Sequence, residues 1–522
     1  MRLRLFVQII LFTLLLPIPP VSAAQTAKNV TEGWLCNPKG PKIGITKQGK
    51  KVSCTLMGDG KSAWTSQSGV SGSNNQNSQS GGSENCSKAG ELTLTSIGLT
   101  QVCRNGKWAW PISTDAPKYP AGGWKTRPSW YPTLQQALSD RNAKATTCKA
   151  NSVVFTHPII PLDQMAPTIP YGGMLFEHIT PADFSYVGLK VLSKSREQLT
   201  ESDYVPVTAP ADGTIIELST LANSTSLLRV VIRHDCGLYS NFMVMNKVSG
   251  VLSNYADKIS SNSIIRPMIA IKAGQEFGKQ RDNSLDFNTF DANSWLSGFV
   301  NPFAYLTQDT WKPFLTDYLQ YFTPEIRSSF ASQLQRKSAT SAGKIDWDVA
   351  GAASGNWFLN GTNGYGGVLD TDILKSQNPV HDRPAGKNGY TWSHLALTPH
   401  NVDTSKWMLS TGWFVDPNGD FKHLILTIDE GKPTPDKLTA ASGLVAYKLS
   451  AFSVTEPVGS APRTQESNTP LAIGYTLTPG EILGVIGLQV NNDGTLNVEI
   501  NTSISSTSQF SSFTSAKRIY HR

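Results

Sequence analysis

Six cysteines, Cys36, Cys54, Cys86, Cys103, Cys148 and Cys236, carry the chemistry that the sequence states most directly. None has the Cys-x-x-Cys spacing of a zinc site or redox pair, so disulfide formation in an oxidising compartment is the expected use. Four of them belong to an internal repeat. One copy runs from Cys36-Asn-Pro-Lys-Gly40 through Gly49-Lys-Lys-Val-Ser-Cys54 to Gly60-Lys-Ser-Ala-Trp64. The other runs from Cys86-Ser-Lys-Ala-Gly90 through Gly98-Leu-Thr-Gln-Val-Cys103 to Gly106-Lys-Trp108-Ala-Trp110. Each reads as a small β-hairpin module, too small to bury enough surface alone. Closing a loop of this length contributes about 3 kcal/mol in the chain-entropy model, which predicts Cys36–Cys54 and Cys86–Cys103. Cys148 and Cys236 then form a third bridge or stay as two buried thiols. A tryptophan in each module either covers the disulfide or presents a ring to a glycan.

Other chemical groups form no pattern. His381, His394, His400 and His423 lack metal-ligand spacing, and there is no Gly-x-Ser-x-Gly elbow or phosphate loop. Asp346 and Asp348 alternate beside Trp347. They read as a solvated strand face, with a calcium or sugar role as the alternative. The net charge is +7, and Arg2 and Arg4 account for two of these, leaving +5 on the rest. No basic patch alternates with aromatics, so nucleic acid is not an expected partner.

The elements that position these residues follow from composition and periodicity. Residues 1–23 read as a secretory signal peptide: a basic start, an apolar run from Leu5 to Leu16, and small residues to Ala23. That run is short of the roughly 20 residues that span a bilayer, and no later stretch is long enough. A secreted or extracytoplasmic, cell-envelope location follows, with no transmembrane segment after signal removal. Residues 32–65 and 86–111 are the repeats, joined by a flexible Ser/Gly/Asn-rich linker at 66–85. A Pro/Trp-rich connector spans 112–150, with a short helix at 134–143. A β domain follows at 151–303. Residues 304–343 read as a helical connector ending in a hinge at 338–343. The last domain, 344–522, is all-β, a sandwich or barrel, with hairpin turns such as Asn491-Asn-Asp-Gly494. The chain is therefore expected to be mainly β and multidomain.

Within 151–303 a specific order of elements appears: Ala209-Pro-Ala-Asp-Gly213, Ile232-Arg-His234, Gly237-Leu-Tyr-Ser-Asn-Phe242, Ala273-Gly-Gln-Glu-Phe-Gly278 and Ser284-Leu-Asp-Phe-Asn288. This order resembles the β core of lysostaphin-type (LytM-like) zinc metalloendopeptidases, which cut peptide cross-links in bacterial cell walls. The resemblance implies a barrel-sandwich β domain. It also implies zinc ligands from a His-x-x-x-Asp motif and from the last His of a His-x-His strand, with two further histidines assisting. Here His178-Ile-Thr-Pro-Ala-Asp183 has one residue more than the first motif. Ser284 and Asp286 stand where the His-x-His strand has its histidines, and Val244 stands at the other assisting position. His234 matches a structural position. His178, Asp183 and Asp286 are thus the candidates for a residual metal site, with a hydrogen-bonded turn as the alternative for the first two. No catalytic residue is assigned. No cofactor is expected, zinc being the one ion the resemblance admits.

The leading expectation is an exported, non-catalytic binding protein on a degenerate peptidase-like scaffold, with peptidoglycan or another glycan as ligand in the former groove. The alternatives are a zinc metalloendopeptidase or other hydrolase with variant ligands, and a structural or partner-scaffolding protein. Nothing in the sequence fixes the oligomeric state.

Overall fold

The computed structural model describes residues 26–30, 43–46, 51–56, 62–66, 85–94, 100–120, 122–143, 153–221, 224–261, 263–337, 341–376, 391–415, 421–457 and 471–522. The expected signal peptide, most of the expected linker, and the side chains of Cys36, Cys54 and Cys148 lie outside these residues. The fold is mainly β, in several largely antiparallel sheets. Among the described residues no helix is long and apolar enough to cross a membrane.

The chain divides into two compact units. In the first, strands Thr26–Val30, Ile43–Thr46, Lys51–Leu56 and Ser62–Ser66 form a sheet in that order. The first repeat contributes the last three, and Cys54 stands opposite Trp64 across the final pair.

The second unit begins with the other repeat. Leu92–Leu94, Thr100–Arg104 and Lys107–Ala109 form a three-stranded sheet. The Cys86–Cys103 disulfide closes it, with Cα atoms 5.7 Å apart. Cys103 faces Trp108, so both repeats place the second cysteine opposite a tryptophan. Cys236 is also disulfide-bonded, with a partner outside the described residues. Side-chain hydrogen bonds anchor the described part of the connector. Trp124 Nε1 donates to the Val300 carbonyl at 3.0 Å, and Tyr131 Oη donates to that of Thr310 at 3.0 Å. Its predicted helix is a single turn, Leu134–Ala137, capped by Thr133.

In the middle domain, Gly213–Leu221, Ser224–Arg233, Leu238–Met245, Leu285–Asp291, Ser185–Leu189 and Met165–Ile169 lie side by side in that order. A smaller sheet joins Val205–Thr208, Glu276–Gln280 and Lys247–Val248. Phe242, Phe277 and Phe287, all fully buried, join the two sheets, with ring centroids 4.9 and 5.0 Å apart. The two motif turns meet directly. Ala209 N–H donates to Gln275 O, Gly274 N–H to Ala209 O, and Ala273 N–H to Asp212 Oδ1 at 2.9 Å. Gly274 has φ +77°, and a side chain there would run into the His157 ring, so this turn requires glycine.

The connector at 304–343 is not the pair of helices that its apolar spacing predicts. Among its described residues only Pro324–Gln333 is α-helical; Pro302–Tyr305, Lys312–Phe314 and Tyr318–Tyr321 are 3₁₀ turns. Its aromatic residues recur at helical intervals because each turn plants a ring in the core, as Phe314, Tyr318 and Phe322 do. Nor do residues 341–343 act as a hinge: Ala342 is buried, and its carbonyl accepts from Tyr171 N–H.

The last domain is a closed barrel, deciding between the two expected architectures. Its described strands are Gly355–Leu359, His394–Pro399, Trp407–Thr411, Lys422–Thr427, Val445–Thr455, Thr476–Val490, Leu496–Asn501 and Arg518–His521, each paired to the next and the last to the first. Alternate residues fill the interior, among them Trp357, Leu395, Leu426, Tyr447, Ile486 and Tyr520, as eight strands permit. The outer face of the second to fourth strands (Ala396, Met408, Ile425) packs on Met174 of the middle domain.

Asp346 and Asp348 are not on a solvated strand face. Asp346 accepts from Gly298 N–H at 3.0 Å. Asp348 accepts from Val300 N–H at 3.0 Å and Asn356 N–H at 2.8 Å. They fasten the end of the middle domain to the first barrel strand. Asp348→Ala leaves both of its amide partners unpaired and is expected to lower unfolding free energy by about 1–3 kcal/mol; Asp348→Asn, which keeps an acceptor, should lose less. Urea denaturation of the two variants checks this.

Candidate functional site

The positions that the resemblance assigns to catalysis lie on one face of the large sheet. Asp286 pairs with Tyr186 on one side and Met243 on the other. At the neighbouring strand the register slips: Val230 faces Phe242 and Leu228 faces Met245, so Met243 and Val244 together oppose Arg229. Val244 has φ +54°, a region a β-branched residue rarely enters. The strain is held by Gln280, which is fully buried. Its Nε2 is shared among the carbonyls of Val244, Asn283 and Ser284 at 2.9–3.2 Å, while its Oε1 accepts from Asn246 N–H at 3.0 Å. The bulge holds an aliphatic side chain at the position that the resemblance gives to an assisting imidazole, and at the other such position Ser284 supplies no base of suitable pKa.

A polar chain crosses this face from strand to strand. Glu217 accepts from Arg266 Nη1 at 2.6 Å and pairs with Arg229 at 3.4 Å. Arg229 Nε donates to Asn241 Oδ1 at 2.8 Å, and Asn241 Nδ2 donates to Asn288 Oδ1 at 2.8 Å. Asn288 Nδ2 in turn reaches the Asp183 carbonyl at 2.7 Å. The chain ends in a buried ion pair: Lys312 Nζ donates to Asp183 Oδ1 at 2.7 Å, with side-chain exposures of 3% and 6%. Asp309 is a second carboxylate, 3.6 Å from the same ammonium. The face of Tyr365, from the barrel domain, lies 5.0 Å from it.

Sequence reading found three members of this neighbourhood and missed the rest. His178 is half-buried, its ring edge-on to Phe184 at 5.3 Å. Burial and the Lys312 ammonium push it down to about 4, against the pull of Asp183, so it is neutral at pH 7. Asp286 is buried and its Oδ1 has no hydrogen-bond partner among the described residues. Burial and the nearby Asp183 charge hold its carboxyl well above the usual carboxylate range, favouring the neutral acid. Asp183 is electrostatically coupled to both. Lys312, Asp309 and Tyr365 carry no motif. A lone lysine in Trp311-Lys-Pro-Phe314 was the only signal.

Zinc is the ion the resemblance implies, and this set does not suit it. Among the described residues no three His, Cys, Asp or Glu side chains gather to hold a metal. Asp183 already neutralises an ammonium. A divalent ion 4 Å from that ammonium would meet a repulsion of about 8 kcal/mol at an effective dielectric of 20. The orphaned Asp286 oxygen alone does not supply the three ligands zinc needs. No family model matches the chain, and no curated protein matches it in sequence.

His234 takes the structural part expected of it. Its Nδ1–H donates to the Asp212 carbonyl at 2.8 Å and its Nε2 accepts from Ser240 Oγ at 2.8 Å. Burial depresses it to about 4. The unfolded chain therefore takes up a proton at this residue before the folded one does. The stability that His234 contributes is complete above pH 6.5 and is lost as pH falls toward 4. The excess stability of wild type over His234→Gln is expected to shrink across that window by up to about 3 kcal/mol, as measured by denaturant unfolding at each pH.

Proposed function

We propose that the chain is an exported, non-catalytic binding protein of the cell envelope or extracellular space. It is built on a lysostaphin-like scaffold, with peptidoglycan or another glycan as its class of ligand. The observation that carries the non-catalytic part is the covering of the polar sheet face. Asp183, Asp286 and Asn288 are each at most 5% exposed, and Lys312 of the 309–316 segment contacts Asp183. Trp311 stacks over Arg229 at 4.7 Å, and Leu315–Thr316 pairs with Thr289–Phe290. These carboxylates are withdrawn from solvent, and Ser284 and Val244 stand where the resemblance has proton carriers. Ligand contact then falls to surfaces outside the former groove. The glycan itself is supported only by the resemblance, and the disulfides support export.

The covered face also favours the scaffolding reading, in which the domain packs against partners and takes no small ligand. One experiment separates the readings. Purified full-length protein is mixed with insoluble cell walls, and both retention and release of soluble wall peptides are measured. Retention without release is expected. Absence of retention would turn the assignment to scaffolding, and chelator-sensitive release of peptides would make the chain an enzyme.

A further inference from the structure

We propose that Lys312 is a built-in cation that replaces a metal ion in this fold, holding the carboxylates of Asp183 and Asp309 together and keeping divalent ions out. The inference rests on the reading of the middle domain as a peptidase-like scaffold, but not on any ligand of the protein.

Three observations carry it. The first is placement: the ammonium contacts Asp183, the residue that the resemblance puts among the metal ligands, at 2.7 Å. The second is burial. Ordinary lysines keep the ammonium in water, whereas this side chain is 3% exposed, so its charge must be met inside the protein. Asp183 and Asp309 provide two carboxylates and Tyr365 the negative face of a ring. The third is rigidity. Asp309 takes φ +55°, Lys312 N–H donates to the Asp309 carbonyl at 2.8 Å, and the residues just after Lys312 join the sheet beside Thr289 and Phe290. The lysine is thus fixed in register with the strand that carries Asp286.

A cation supplied by the chain needs no loading and cannot be chelated. It also offers no open coordination position where water could be activated. The cluster keeps the electrostatic service of a metal, which is to hold carboxylates from distant segments together, and drops the chemical one.

The test uses full-length wild type with Lys312→Ala, Lys312→Met, Asp183→Asn and the Lys312→Met/Asp183→Asn pair. After dialysis against zinc, wild type is expected to retain less than about one tenth of an equivalent, with a melting temperature indifferent to zinc or chelator. Lys312→Met should lower the folded-to-unfolded ratio at least about 100-fold, and the double variant should recover most of that loss. Lys312→Ala should bind zinc at least about tenfold more tightly than wild type, reversibly by chelator. One equivalent of stabilising zinc in wild type would overturn the proposal. So would a Lys312→Met protein as stable as wild type, or a Lys312→Ala protein with no gain in zinc affinity. If Lys312→Met does not fold, Asp183→Asn and the double variant decide: a double variant that also fails to fold while Asp183→Asn folds contradicts the pairing. Wall retention should be unchanged in any variant that folds, so failure of the wall-binding reading and failure of this one are told apart.

Discussion

The buried pair between Lys312 and Asp183 is the constraint on which the middle of this protein depends. Two charges taken out of water are costly, and each becomes tolerable only with the other present. Asp183 comes from the segment leading into one strand of the large sheet, and Lys312 from a connector 129 residues later. Their union determines where that connector runs. It crosses the polar face, seats Trp311 over Arg229 and adds a short strand beside Leu285–Asp291. The barrel then packs against the covered surface, bringing Tyr365 up to the same ammonium.

The face below is a polar sheet surface that has become interior. Glu217, Asn241 and Asn288 are buried, and each meets a partner on the adjacent strand. This side-by-side satisfaction lets so polar a surface lose its water. Among the described residues Arg229 Nη2 and Asp286 Oδ1 are exceptions. The unpartnered oxygen of Asp286 is tolerable because burial and the Asp183 charge favour the neutral acid. Val244, strained at a bulge and held by Gln280, is a second irregularity on the same face. Backbone strain of this kind clusters at active sites, ligand clamps and switch regions.

Legibility in the sequence followed the range of the interaction. The turns at Ala209–Gly213 and Ala273–Gly278 were readable because glycine, proline and aspartate dictate their backbone locally. The Cys86–Cys103 hairpin was readable because its repeat shows the spacing twice. The barrel was legible in its central strands but not in its closing pair. Gly355–Leu359 and Arg518–His521 are short and paired across the whole domain, so no local alternation marks them. The aromatic spacing of 307–337 misled, because rings planted by successive 3₁₀ turns imitate a helical stripe. Asp346 and Asp348 misled similarly: alternating acids look solvated until the backbone amides they accept from, 48 residues earlier, are seen. At the candidate site, His178, Asp183 and Asp286 could be named only through the resemblance. Lys312 could not, since nothing in a lone lysine shows that it will be buried against an aspartate far upstream.

The most direct measurement is anomalous X-ray scattering at the zinc edge from crystals of the full chain grown with zinc. The expected map has no zinc peak within ligand distance of Asp183, and Lys312 Nζ remains in contact with the Asp183 carboxylate. A zinc peak held by His178, Asp183 and Asp286, with Lys312 swung away, would contradict the internal-cation structure and reopen hydrolysis as the role of this domain.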